Sequence, residues 1–320
     1  MYLVELCCTQ LFAKYDCDFH ILWRIMMVVS FASRRITKDT WVISGPGCDC
    51  FLLVADNEAI MIDSGMSDKN IREYVETLVD VPVKRVINTH SHFDHTAGNG
   101  FFDMVMGTVG ISRSAKNTFG ADSSLYPLSY EYTIIEDGDI VDIGGRPLTI
   151  IELNCHSPGD IAILDSTRGF LFCGDEIESR SSLLLPGYAE QLGQIHAAPA
   201  AAVETHLNAM KKLYSYYDDF NLLCPAHNGS PMDKIYLDWF IELDEMIMNG
   251  YVGSDDCEGY SYTPDLMHFP YPDAGYLRAS HKGASLVYNK NLIFEDDRKN
   301  ADNLPTATPL HELSSRFIFN

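Results

Sequence analysis

The stretch VKRVINTHSHFDHTAGN, Val83 to Asn99, decides how this chain is read. Its first part, VKRVIN, is a short apolar run of strand length. Its second part places His90, His92, Asp94 and His95 close together, in a chain with only 11 histidines among 320 residues. A strand that runs straight into crowded imidazoles and a carboxylate predicts a chemically active loop at the end of a rigid element.

Working upstream, TWVISGPGCDCFLLVADNEAIMIDSG reads as three strands, at Trp41 to Ser44, Phe51 to Val54 and Ala59 to Ile62. Gly-Pro-Gly and Asp-Asn punctuate them, and their continuous apolar character suits strands covered on both faces. In SDKNIREYVETLVD, residues Ile71, Tyr74, Val75, Leu78 and Val79 recur at helical spacing, with Ser67 as the expected N-cap and Asp68 in the first turn. Downstream, DIVDIGGRPLTIIEL and IAILDSTRGFLFC read as hairpins, the first turning at Gly144-Gly145. PAAAVETHLNAMKKLYSYY predicts a helix with Val203, His206, Met210, Leu213 and Tyr217 inward. NLLC is a further strand. DKIYLDWFIELDEMIMNG is an amphipathic helix with Tyr236, Trp239, Phe240, Leu243 and Ile247 on one side.

Strand clusters with helices between and after them predict an α/β fold, a four-layer αββα sandwich of two mixed β-sheets flanked by helices. The expected divisions are a non-core N-terminal extension over residues 1–35, one domain over 36–295 with a helical and aromatic cap at about 231–295, and a polar tail over 296–320. The apolar run ILWRIMMVVSFA, Ile21 to Ala32, is short and interrupted by Arg24, whereas a spanning helix needs roughly 20 apolar residues. Glu5, Asp16 and Asp18 precede it where a signal peptide would be basic.

The formal net charge is −22. Such a surface repels phosphate backbones and anionic lipid, so neither a nucleic acid nor a membrane is the expected partner. A small, weakly charged substrate is. The nine cysteines are odd in number and follow no framework spacing, which predicts free thiols and a cytoplasmic location. Cys48 and Cys50, one residue apart, lack the spacing of a redox or zinc-ribbon pair.

Three further polar residues stand where apolar strands end: His156 in CHSPGD, Asp175 in CGDE and His227 in PAHNGS. If those strands run alike, the ends converge with the 88–99 loop on one edge. Imidazole and carboxylate together suit zinc, and also iron or manganese. His90 and His92 can face one way while Asp94 and His95 face the other. Seven donors exceed what one tetrahedral ion with an open position needs, and they suit two divalent ions sharing a carboxylate and a water. The remaining histidines, His20, His196, His206, His268, His281 and His311, read as structural or surface groups, His206 as core. Tyr188, His268, Tyr276 and His281 lie on later segments that could reach the same edge.

THSHFDHTAGN, HSPGD, CGDE and PAHNGSP, together with the earlier AIMIDSG, resemble the ordered motifs of the metallo-β-lactamase-fold hydrolases, in their dinuclear branch similar to glyoxalase II and lactonases. The resemblance covers about residues 40–230. It implies that His90, His92 and His156 hold one metal ion, that Asp94, His95 and His227 hold the other, and that Asp175 bridges them. Asp63 would support the site from behind, and Asp94 would be catalytic, orienting a metal-bridging hydroxide that cleaves a small ester, thioester or lactone. A non-hydrolytic or redox metal-binding member of the fold and a β-lactam hydrolase are the alternatives. The third position after Asp175, a Tyr in acyl-homoserine lactonases, is Glu178, and a basic glutathione-binding tail has only RASHKGA, Arg278 to Ala284, as its candidate. The aromatic segments after His227 could cap the ions, form the surface of a homodimer, or be plain core.

Overall fold

The computed structural model describes residues 31–67, 69–115, 129–184, 201–254 and 276–299. A seven-stranded sheet contains β1 (Ala32–Thr37), β2 (Thr40–Ser44), β3 (Asp49–Val54), β4 (Ala59–Ile62), β5 (Val83–Ile87), β6 (Met104–Gly107) and β7 (Tyr132–Ile134), in that spatial order. Its first four strands are antiparallel neighbours and its last four parallel ones, so the sheet is mixed. A six-stranded sheet contains β8 (Ile140–Asp142), β9 (Pro147–Glu152), β10 (Ile161–Asp165), β11 (Phe170–Gly174), β13 (Leu222–Pro225) and β14 (Met232–Asp233). The expected hairpins are present as β8–β9 and β10–β11.

Strand periodicity explains why these runs lack a polar face. Phe51 and Leu53, Ile60 and Ile62, Ile161 and Ile163, and Phe170 and Phe172 point between the two sheets into one shared core. The alternate residues Leu52 and Met61 point out from the first sheet against α1 (Ile71–Glu76), which contributes Ile71 and Val75. Ala162, Leu164, Leu171 and Cys173 point out from the second sheet against α4 (Val203–Tyr214) and α5 (Ile235–Met248). Helix, sheet, sheet and helix are therefore stacked as four layers.

Several local readings are corrected. Asn70, not Ser67, caps α1, its side chain accepting from Glu73 N at 3.2 Å. The helix stops at Glu76, although Leu78 and Val79 still pack on the core. Tyr217 lies beyond α4 in a 3-10 turn, while Leu207 and Ala209 join the buried face. The buried side of α5 is Leu237, Phe240, Leu243, Asp244 and Ile247, with Tyr236 and Trp239 partly covered beside it. β1 straddles the boundary expected at residues 35 and 36, and α6 (Glu295–Lys299) straddles the one at 295 and 296.

Elements without a sequence expectation include β1, β6, β7, α3 (Val109–Ser114), β14 and α6. A third sheet was also unforeseen. It joins β12 (Ser182–Leu183) to the hairpin β15 (Tyr276–His281) and β16 (Ala284–Asn289), and it packs with α5. The apolar run at 21–32 and the tail beyond 299 lie outside the described residues, apart from Phe31 and Ala32. The aromatic segment SYTPDLMHFPYPDAGY does too, apart from Tyr276.

Candidate metal centre

β9 and β11 each run antiparallel to β10, and β13 runs parallel to β11, so β9, β11 and β13 end on the same edge of the second sheet. His156, Asp175 and His227 follow those three ends. The 88–99 segment follows β5, and the two sheets are stitched at this edge. Ile161 N donates to Thr89 O at 2.8 Å, and Asp49 N donates to Ala226 O at 2.7 Å. The segment is not wholly irregular. Phe93–Thr96 forms a single helical turn, α2, with extended His92 at its N-cap. The change from extended to helical backbone at His92 separates His90 and His92 from Asp94 and His95.

Two donor groups result. His90 Nε2 and His156 Nε2 lie 2.9 and 3.1 Å from His92 Nδ1. Asp175 Oδ2 lies 3.6 Å from each of those Nε2 atoms. On the other side, Asp94 Oδ2 is 3.5 Å from His95 Nε2 and 3.4 Å from His227 Nε2. Asp175 also approaches the second group, with Oδ1 3.3 Å from His95 Nε2 and Oδ2 3.4 Å from His227 Nε2. Tetrahedral zinc with bonds of about 2.0–2.1 Å separates its donors by roughly 3.3 Å. Both groups have that spacing and could hold an ion.

The donors are aimed from behind. Asp63, in a left-handed conformation at φ 60°, accepts at Oδ2 from His95 Nδ1 and from the Thr89 hydroxyl, both at 2.8 Å. Its Oδ1 accepts from Thr89 N at 2.8 Å. With its only hydroxyl proton given to Asp63, Thr89 Oγ1 accepts from His90 Nδ1 at 3.1 Å, which leaves His90 Nε2 as the acceptor atom facing inward. His156 Nδ1 donates to Leu183 O at 3.1 Å. The backbone N of His156 donates to Asp160 Oδ2 at 3.2 Å and to Glu176 Oε2 at 3.1 Å.

Thr89, Asp160 and Glu176 were not singled out from sequence. Their adjacency to His90, His156 and Asp175 was the available signal. Glu178 is buried, pushed up to about 8 chiefly by that burial, and accepts from Asn228 Nδ2 at 2.6 Å. Ser179 Oγ donates to Asn228 O at 2.8 Å, so the loops that carry Asp175 and His227 are tied together twice.

Two of the imidazoles are held in the neutral form that ligation needs. Burial, and then the neighbouring imidazoles, holds His90 well below the ordinary histidine range and His92 at about 4, so both are neutral. Burial pushes Asp94 and Asp175 up, but the charges of His95 and His227 outweigh it and hold both well below the carboxylate range. Burial pulls His95 down, yet Cys48, Asp175, Asp94 and Asp63 hold it well above its ordinary value. The surroundings of His95 thus favour positive charge. Among the described residues, His95 Nε2 and Asp175 Oδ1 are buried without a hydrogen-bond partner. Each such atom costs about 1–3 kcal/mol, and both face a donor set of nitrogen and oxygen that suits zinc, iron or manganese. The residues fit divalent ions.

Other candidates lie elsewhere. His281 Nε2 lies 2.7 Å from Glu242 Oε2 of α5, and Lys282 pairs with the same carboxylate, so these two side chains of RASHKGA are engaged there. Tyr276 is the first residue of β15. His206 is core, as expected, with Nδ1 2.7 Å from Asp244 Oδ2. Tyr188, His20, His196, His268 and His311 lie outside the described residues. No described helix is long and apolar enough to cross a membrane.

Residues 44–217 match the profile of the Metallo-beta-lactamase superfamily. The chain is similar to the human "Acyl-coenzyme A thioesterase MBLAC2", 25% identical over 166 residues that cover 42% of this chain and 60% of that protein. It is similar also to the "Hydroxyacylglutathione hydrolase" of Rhodospirillum rubrum, 33% identical over 123 residues, covering 37% and 45% respectively. The chain therefore spans less than two thirds of the length of these curated relatives. The solved "Metallo-beta-lactamase from Pontibacter korlensis" superposes with a TM-score of 0.52 at 18% identity, covering 67% of this chain and 98% of that one. At that identity the likeness is one of fold.

Proposed function

Since the chain belongs to the metallo-beta-lactamase superfamily, we propose that it is a hydrolase that holds two divalent metal ions, zinc in the first instance, and cleaves a small acyl substrate. One observation carries the reading: Asp175 stands within 3.3–3.6 Å of inward-facing nitrogens from both donor groups, as a shared ligand would. His90, His92 and His156 hold one ion, Asp94, His95 and His227 the other. When bound, the ions acidify a water toward neutral pH and polarise the scissile carbonyl.

The chain's own residues do the rest. Asp63 and Thr89 present His95 Nε2 and His90 Nε2 to the centre in the correct tautomers. Asp94 is the most exposed of the three carboxylates at the centre, its side chain 30% accessible against 9% for Asp175 and 1% for Asp63. It lies where it can orient the attacking water and hand the proton to the leaving group. Cys155 and Cys173 are buried in the outer core of the second sheet and supply no nucleophile.

Among ester, thioester and lactone, the names of the relatives favour a thioester, because an acyl-coenzyme A and a hydroxyacylglutathione both carry the acyl group on sulfur. The five described cysteines, all free, support a reducing compartment such as the cytoplasm. The test is elemental analysis of the isolated protein, then turnover of a panel of thioesters, esters, lactones and cephalosporins with and without chelator. Chelator-sensitive thioester cleavage is expected. Protein that binds two equivalents of metal and turns over none of the panel would defeat the reading.

A further inference from the structure

We propose that Cys48 and Cys50 form a peroxide-sensitive thiol pair, closing to a disulfide that loosens the Asp94, His95 and His227 half of the metal centre. The two residues stand at i and i+2 on entry to β3, so their side chains share the outer face with Leu52. Their sulfurs are 3.7 Å apart. A disulfide bond is about 2.0 Å long, so closure needs a movement of roughly 1.7 Å. Cys48 and Cys50 are 3% and 1% exposed, so the oxidant the pair calls for is a small molecule, hydrogen peroxide, and not a protein disulfide.

The pair touches what aims the second donor group. Cys48 Sγ, the Asp63 carboxylate and the His95 ring lie within 4.8 Å of one another. A Cβ placed on Gly65, in the turn that carries Asp63, would be 3.6 Å from Cys50 Sγ. Just before Cys48, a Cβ on Gly47 would be 2.8 Å from Asp94 Cβ and 2.9 Å from Met66 Cβ. That loop has no slack against Asp94. Drawing Cys48 toward Cys50 therefore shifts the packing behind His95 and beside Asp94 together.

The reaction balances with peroxide alone. One sulfur attacks a peroxide oxygen, the O–O bond breaks, and a sulfenic acid and one water form. The second sulfur displaces the sulfenic hydroxyl, the S–S bond forms, and a second water leaves with the remaining thiol proton. Two electrons pass from the sulfurs to the peroxide oxygens. The effect on the centre rests on the dinuclear reading above, whereas disulfide formation does not.

The experiment treats zinc-loaded, full-length protein with hydrogen peroxide and digests it with trypsin. Residues 39–69 form one peptide, in which Cys48 and Cys50 are the only cysteines. That peptide is expected to become about two mass units lighter and to resist iodoacetamide. The protein is expected to release about half of its zinc, and dithiothreitol to reverse both changes. Cys50→Ser should abolish both, with Cys50→Ala as a second variant should the serine hydroxyl disturb the core. Full alkylation of the peptide after peroxide treatment would overturn the proposal, as would a disulfide that forms with zinc content unchanged. Untreated protein that never takes up a second zinc would defeat the dinuclear reading and the regulatory half of the proposal, while the peptide mass still decides the thiol pair.

Discussion

At the end of the sandwich where β9 begins, the Arg146 side chain is 1% exposed, yet every one of its five N–H groups is met. Nε donates to Asp165 Oδ2 at 2.8 Å, and one terminal nitrogen reaches the same oxygen at 2.6 Å and Thr40 Oγ1 at 2.7 Å. The other terminal nitrogen donates to Asp39 O at 2.7 Å and Val54 O at 3.1 Å. At the end where β9 stops, seven imidazole and carboxylate groups crowd together, and His95 Nε2 and Asp175 Oδ1 have no hydrogen-bond partner. Both ends bury charge between the same two sheets. The first closes its own valences and pins the sheets together. The second leaves lone pairs aimed at a common point, which gains nothing for folding and makes sense as a place for cations.

The largest expected effect tests the closed end. Arg146→Ala strands the Asp165 carboxylate in the core and should destabilise the chain by about 3–5 kcal/mol in urea denaturation. The folded fraction should retain its full metal content. Asp175→Asn is the counterpart at the open end. It should weaken metal uptake more than 100-fold, read by competition with a chromophoric chelator, while changing the stability of metal-free protein by less than about 1 kcal/mol. If Asp175→Asn destabilised metal-free protein as much as Arg146→Ala does, the contrast between the ends would be gone.

A pH series should sharpen the comparison without mutation. In metal-free protein, His90 and His92 stay neutral when folded, His92 down to about 4, whereas unfolded histidine takes up its proton near 6.5. Stability present above 6.5 is therefore lost as pH falls from 6.5 toward 4, by up to about 1.4 kcal/mol per pH unit for each group. His95 acts with the opposite sign, since its raised value supplies stability below 6.5 that is lost as pH rises through the folded value. Denaturation at pH 4.5, 6.5 and 8.5 should show a maximum at the middle value. Metal loading, which holds further imidazoles unprotonated in the folded state, should raise stability at the middle value and steepen the acid limb.

Asp63→Asn should do less than loss of a ligand. It keeps an acceptor for Thr89 and weakens the grip on His95, so metal affinity should fall by about 10–100-fold with little change in stability. The smallest effect belongs to Arg168→Ala, which removes a partly exposed pair with Asp39 at 2.7 Å beside the Arg146 network. About 0–1 kcal/mol is expected. A larger loss would show that the closed end extends to the surface.

The open end was far more legible in the sequence than the closed one. His90, His92, Asp94 and His95 announce themselves because a short loop has no packing reason to hold four such groups, and His156, Asp175 and His227 each stand just past an apolar run. Arg146 gave no such signal. It sits in an ordinary hairpin beside Gly145 and Pro147, and its partners Thr40, Asp39, Val54 and Asp165 come from other strands and from the turn between β1 and β2. Thr89, Asp160 and Glu176 stand near ligands in the sequence, but their bonds to Asp63 and to the backbone of His156 appear only in the folded chain.

Local periodicity and strand ends are properties of the chain itself, since side-chain direction alternates every residue in a strand and returns about every 3.6 in a helix. The sequence by itself therefore determined the apolar runs of both sheets, the two hairpins, α4 and α5, and the positions of seven candidate donors just past strand ends. Which strands run alike, that Asp175 comes within reach of both donor groups, that β12 joins the hairpin of β15 and β16, and that Cys48 lies behind His95 were decided only when the sheets stacked. Those relations join residues tens to more than a hundred positions apart, and no spacing along the chain encodes a distance across it.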